Sequence, residues 1–258
     1  MPWFGKIVGG TLGLILGGPL GAVAGMAFGH LSDKMREASG TGQQSFYSRS
    51  YDQRLNYTQR ANMTFFVGCF SMLAKLTQAD GGVSQAEVRS VEDFMTEDLR
   101  LDPLSRNSAV QIFNSAQGSP ESFGSFAAQF YDQFRGNPQV LDLMIDILVR
   151  VAAADGGVSR AEENLILEAV RIFRFSETKY ETIKSRYGVV SNRNYAVLEV
   201  SPTASNEEIK KAYRRLVSEY HPDKIASKGV PEEFMKYASD KFREIQAAYE
   251  AVRKERGF

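Results

Sequence analysis

The chain has 258 residues, and its 31 Lys plus Arg balance 31 Asp plus Glu, for a formal charge of zero. That balance gives no support for a nucleic-acid binder held on by phosphate contacts, so no nucleic acid is expected as a partner. One cysteine, Cys69, excludes an internal disulfide, and two histidines, His30 and His221, leave too few ligands for a histidine-based metal centre. At 43% hydrophobic and 24% charged, the composition is that of a folded chain of one or two domains.

The first thirty residues differ from the rest. From Ile7 to Gly29 no residue is charged. As a helix this stretch would extend roughly 35 Å, enough to cross about 30 Å of hydrocarbon. The pattern predicts a transmembrane helix in residues 1–30, spanning about 7–29. Gly9, Gly13, Gly17, Gly21 and Gly25 recur at every fourth position. Such a row of small residues lets a second helix approach closely, so a homodimer through the membrane helix is expected. Two other readings use the same residues. Pro19 and the glycines permit a buried or re-entrant hairpin, and Ala22-Val23-Ala24 has the small-x-small form of a signal-peptide cleavage site. Only Lys6 precedes the span, whereas Lys34, Arg36 and Arg49 follow it. The positive-inside bias then places the bulk of the chain in the cytoplasm. Residues 31–58, rich in Ser, Gly, Gln and Tyr, read as a juxtamembrane linker.

The middle of the chain, 59–188, reads as about seven helices joined by short loops, and it holds a repeat. Ala79-Asp-Gly-Gly-Val-Ser-Gln-Ala-Glu87 returns as Ala154-Asp-Gly-Gly-Val-Ser-Arg-Ala-Glu162. Each Gly-Gly ends a helix, since glycine takes the left-handed conformation at little cost. Ser84 and Ser159 then cap the next helix, with Glu87 and Glu162 three residues on, the spacing of a capping box. A sharper reading makes Asp80, Glu87, Asp155 and Glu162 a divalent-cation site; a plainer one has the two units simply building the bundle. The doubled pattern resembles the tellurite-resistance TerB-like helical domain, which implies an interaction domain whose acidic residues can hold a divalent ion.

In the last seventy residues, Ser205 or Asn206 opens a helix to about Tyr220, with Ile209, Ala212, Tyr213, Leu216 and Tyr220 as its apolar stripe. Lys210, Lys211, Arg214 and Arg215 occupy its other faces. Like charges at i, i+4 disfavour an isolated helix, which points to an acidic partner or to an ordinary solvated face. His221-Pro222-Asp223 follows, where proline ends the helix and stiffens the turn. Pro231 and Glu232 then open a last helix to about Arg256. No nucleophile motif accompanies His221, so no catalytic residue, no cofactor and no enzyme activity are expected.

Residues 193–258 closely resemble the J domain of DnaJ-type co-chaperones, carried by NYAVLEV, EEIKKAYRRLVSEYHPDK and KFREIQAAYEAV in order. The resemblance implies binding to a DnaK-type ATP-dependent chaperone and stimulation of its ATP hydrolysis. His221, Pro222 and Asp223 match the signature loop. Lys210, Tyr213, Arg214 and Arg215 match the docking face, and Phe242 a contact in the last helix; Tyr213 and Phe242 fit equally as core. A membrane helix, a TerB-like domain and a J domain in that order resemble the DjlA family of membrane-anchored co-chaperones. The expected architecture is therefore all-α: one N-terminal transmembrane helix, a central bundle and a C-terminal helical hairpin. Its expected place is the bacterial inner membrane, single-pass, with membrane lipid as a further partner. The rival reading is a membrane-tethered TerB-like interaction or metal-binding scaffold whose J domain is only a docking module.

Overall fold

The computed structural model describes residues 16–38, 57–154, 156–187 and 193–258. Every regular element among them is helical. Helix α1, Gly18–Ala38, begins where Gly17 and Gly18 take left-handed φ of 59° and 56°. Two such residues in succession cannot continue a right-handed helix, and only glycine adopts them cheaply. Pro19 then stands in the first turn of α1, where its missing N–H costs nothing.

The described part of the expected span, 16–29, is thus broken at Gly17–Gly18, while residues 7–15 lie outside the described residues. Among the described residues no helix is long and apolar enough to cross a membrane. Instead Leu20, Val23, Ala24 and Phe28 form a buried stripe on α1, and α1 packs against α2 (Tyr57–Leu76), α4 (Pro103–Gly118) and α5 (Phe123–Phe134). The Gln129 side chain of α5 fixes the start of α1. Its Oε1 accepts from the Leu20 N–H at 2.8 Å, and its Nε2 donates to the carbonyls of Leu16 and Gly17 at 3.1 and 2.9 Å. Of the glycine row, Gly17 is exposed at the break, Gly21 is buried and Gly25 half-buried. Gly9 and Gly13 lie outside the described residues. Since α1 runs to Ala38, residues 31–38 are helical rather than linker.

Seven helices follow between Tyr57 and Ser185: α2, α3 (Gln85–Asp93), α4, α5, α6 (Pro138–Ala152), α7 (Arg160–Ile172) and α8 (Glu177–Ser185). Helix α2 is buried on nearly every side from Met63 to Ala74, and α1, α4, α5 and α6 surround it. A π-helical turn, Phe94–Asp98, extends α3. Both capping boxes of the repeat are formed. Ser84 N–H donates to Glu87 Oε2 at 2.6 Å and Ser159 N–H to Glu162 Oε2 at 2.9 Å, and the serine hydroxyls accept in return.

The C-terminal part comprises α9 (Arg193–Val197), α10 (Asn206–Glu219), a one-turn α11 (Pro222–Ala226), a 3-10 turn at Glu232–Phe234 and α12 (Met235–Arg256). Ser205, not Asn206, caps α10. Tyr195, Leu198, Ile209, Leu216, Ile245 and Val252 form a small core of its own. The stretch after Pro222 belongs elsewhere: Ile225, Val230, Phe234, Tyr237 and Ala238 join the bundle's core. Phe234 stands 4.7 Å from the Phe65 ring centroid and 6.0 Å from that of Phe66. Gly229 adopts φ of 83°, and a Cβ there would collide with Ala61 on α2. The two parts are thus packed together through apolar contacts.

Candidate functional site

Proline explains the shape of the 221–223 turn. Helix α10 stops at Glu219, and Pro222 is pre-set for the first position of α11. His221 caps α11, its Nδ1 accepting from the Asp223 N–H at 3.3 Å. The imidazole faces the Phe242 ring edge-on, with centroids 5.8 Å apart. Lys224 ties α11 back to α10 by donating to Ser218 Oγ at 2.7 Å. The Asp223 carboxylate, 93% exposed, projects into water from a turn braced on both sides.

The basic residues of α10 precede that turn along the helix. Lys210 Nζ is 3.2 Å from Glu207 and 5.2 Å from the Phe258 ring centroid. Arg214 is exposed, and its Nε donates to the Lys210 carbonyl. Arg215 spreads its two terminal nitrogens between Glu219, at 3.1 Å, and Glu199, at 2.7 Å. Tyr213 stacks flat on Tyr249 at 3.9 Å, so its ring, like that of Phe242, is half-buried against the local core. Lys210, Tyr213, Arg214 and Arg215 thus lie along α10, His221, Pro222 and Asp223 follow its C-terminal end, and Phe242 meets the His221 ring.

Sequence reasoning missed the buried ionic cluster behind this surface. Asp146 of α6 receives Lys241 of α12, Arg186 at 3.1 Å, and the hydroxyls of Tyr187 and Tyr237 at 2.8 and 2.7 Å. One turn earlier on α6, Asp142 pairs with Lys179 at 2.8 Å. Lys179 and Arg186 both reach Oε1 of Glu199, at 2.7 and 2.8 Å, while Arg215 takes Oε2. Burial alone would raise the Asp146 carboxyl, yet Lys241 and Arg186 hold it down to about 2. Glu199 is likewise held to about 2 against its burial, by Lys179 and Arg186. A signal existed: LDLMIDILV places Asp142 and Asp146 at i, i+4 inside an otherwise apolar helix, where a buried carboxylate demands cations.

The repeat's carboxylates are differently employed. Glu87 and Glu162 are engaged by their own helix caps. Asp155 lies outside the described residues, and among those described no group of three or more His, Cys, Asp or Glu is placed to hold a metal ion.

Comparison with known proteins follows the same division. The model for tellurite resistance protein TerB matches residues 67–185, that for the DnaJ domain 193–256, and that for the co-chaperone DjlA transmembrane domain 1–44. Co-chaperone protein DjlA of Shewanella oneidensis is 30% identical over 270 residues, covering 100% of this chain and 99% of the relative. The protein of that name from Photobacterium profundum is 30% identical over 279 residues, covering 99% of each chain. That from Coxiella burnetii is 29% identical over 274 residues, again covering 99% of each. No solved structure matches.

Proposed function

The chain belongs to the DjlA family of membrane-anchored co-chaperones, and from that membership we propose that its J domain recruits a DnaK-type chaperone to the inner face of the bacterial membrane and stimulates its ATP hydrolysis. The observation that carries this reading is the exposed Asp223 carboxylate, held on a proline-stiffened turn that follows the basic helix α10. Lys210, Lys211, Arg214 and Arg215 supply positive charge that steers an acidic surface into place. His221 and Asp223 then bind one conformation of the chaperone better than another, which shifts its population toward the hydrolysing state. The partner hydrolyses the ATP; this chain supplies contacts, not chemistry.

Anchoring through residues 1–44 confines that recruitment to the membrane surface. ATP is a cytoplasmic substrate, so a J domain on the cytoplasmic side, in a single-pass topology, is the arrangement in which it has a partner. The docked arrangement of bundle and J domain also fixes the direction in which Asp223 faces relative to the bundle.

Binding of a DnaK-type chaperone with ATP to the full chain in nanodiscs tests the reading. The wild type is expected to bind with an affinity that falls steeply with salt, and Asp223→Asn to bind at least tenfold more weakly. Equal binding by the two proteins would refute the assignment.

A further inference from the structure

Glu199 is one of three described non-glycine residues with a left-handed backbone, at φ of 55°. A bulky side chain in that conformation costs free energy and persists only where its surroundings enforce it. Here the enforcement comes from both parts of the molecule. The bundle's Lys179 and Arg186 occupy Oε1, while Arg215 of the docking helix occupies Oε2. The carboxylate is only 9% exposed; Arg215 is 44% exposed.

The charge balance around Glu199 decides how firmly Arg215 is held. Three buried carboxylates, Asp142, Asp146 and Glu199, face three cations, Lys179, Arg186 and Lys241. The cluster is therefore neutral before Arg215 is counted. Arg215 stands at its rim, and its other carboxylate partner, Glu219, is partly solvated and screened. Without the bundle's cations, Glu199 and Arg215 would form a simple pair, each satisfying the other.

We propose that the bundle primes the docking helix by occupying Glu199 with Lys179 and Arg186, which leaves Arg215 available to a carboxylate of an acidic partner. This rests on the chaperone reading above. Glu199 is a positioning residue: it touches no partner and acts through Arg215. With the bundle docked, Glu199 is shared among three cations, so Arg215 is held less tightly than in a simple pair and the J domain binds best when the bundle is in place.

Two substitutions that break the same ion pair separate this from a merely structural role. Lys179→Met removes a competitor for Glu199, so Arg215 is held more tightly. Asp142→Asn removes the other partner of Lys179, so Lys179 bears harder on Glu199 and Arg215 is held less tightly. Damage to packing would move both variants the same way; the proposal requires opposite directions. The readout free of any chaperone is the rate at which phenylglyoxal modifies Arg215 in the full chain in detergent, resolved by mass spectrometry against Arg214 as reference. Expected changes are about two- to fivefold, slower in Lys179→Met and faster in Asp142→Asn, the scale of a partly exposed ion pair. Chaperone affinity is expected to follow, weaker in the first and tighter in the second. Changes in the same direction, or none, overturn the proposal. Should Lys179→Met fail to fold, Asp142→Asn decides alone, and unchanged or slower modification of Arg215 overturns it. Absence of chaperone binding by the wild type overturns the chaperone reading and this proposal with it. Binding by the wild type with equal affinity in both variants overturns this proposal alone.

Discussion

Asp146 of α6 and Lys241 of α12 form an ion pair across the junction of the bundle and the J domain, with side chains 1% and 6% exposed. Arg186 shares the same carboxylate, and two tyrosine hydroxyls complete its shell. A charge pair excluded from water in this way is weak as a source of stability but costly to break from one side. Asp146→Ala strands Lys241 without its carboxylate and leaves Arg186 with Glu199 alone. The expected loss is about 3–5 kcal/mol in denaturant unfolding of the full chain. Hydrogen exchange over residues 225–241 is expected to rise with it, because that stretch is held against the bundle.

Acid should loosen the same junction. Asp146 and Glu199 titrate near 2 in the folded chain, against ordinary values of 3.8 and 4.5. A carboxyl depressed on folding adds stability that is fully present above its unfolded value and is lost as pH falls through the folded one. The melting temperature is therefore expected to decline from about pH 4.5 toward pH 2. In Asp146→Asn that decline should be shallower; an identical pH profile would count against the pairing.

Phe234 lies in the J-domain sequence, yet its ring sits among Phe65, Phe66, Phe70 and Phe94 of the bundle. Phe234→Ala should cost about 3–5 kcal/mol, as for other buried phenylalanines. The distinguishing sign is where the damage appears. Exchange protection should fall in α2 of the bundle as well as in α12, whereas loss confined to 193–258 would contradict the shared core.

Gln129 holds the start of α1 by three hydrogen bonds. Gln129→Leu keeps the bulk and removes all three, each worth about 0.5–1.5 kcal/mol. Limited proteolysis is expected to cut more readily near Gly17–Gly18 in the variant. Unchanged cleavage would mean that the apolar stripe of Leu20, Val23, Ala24 and Phe28 holds α1 unaided.

Local signals were legible in the sequence and long-range ones were not. Ser84 and Ser159, each followed by Glu three residues later, named their capping boxes outright, because both partners lie within one turn, whereas the sequence leaves Ser205 and Asn206 as rival caps before Glu208. The His221-Pro222-Asp223 turn and the basic residues of α10 were equally plain. The break at Gly17–Gly18 stayed hidden for a nameable reason. Hydropathy counts apolar residues, but the break depends on two glycines at positive φ and on Gln129, more than a hundred residues away. The ionic cluster stayed hidden because its members come from α6, α8, α10 and α12 and from the turn at Glu199. Only Asp142 and Asp146, set in an apolar run, hinted at it.

The most direct test of the account is single-turnover ATP hydrolysis by a DnaK-type chaperone mixed with the full chain in detergent, wild type against Asp223→Asn. The account predicts marked acceleration by the wild type and little or none by Asp223→Asn, with both proteins equally folded. Equal acceleration by the two, or none by the wild type, would contradict it.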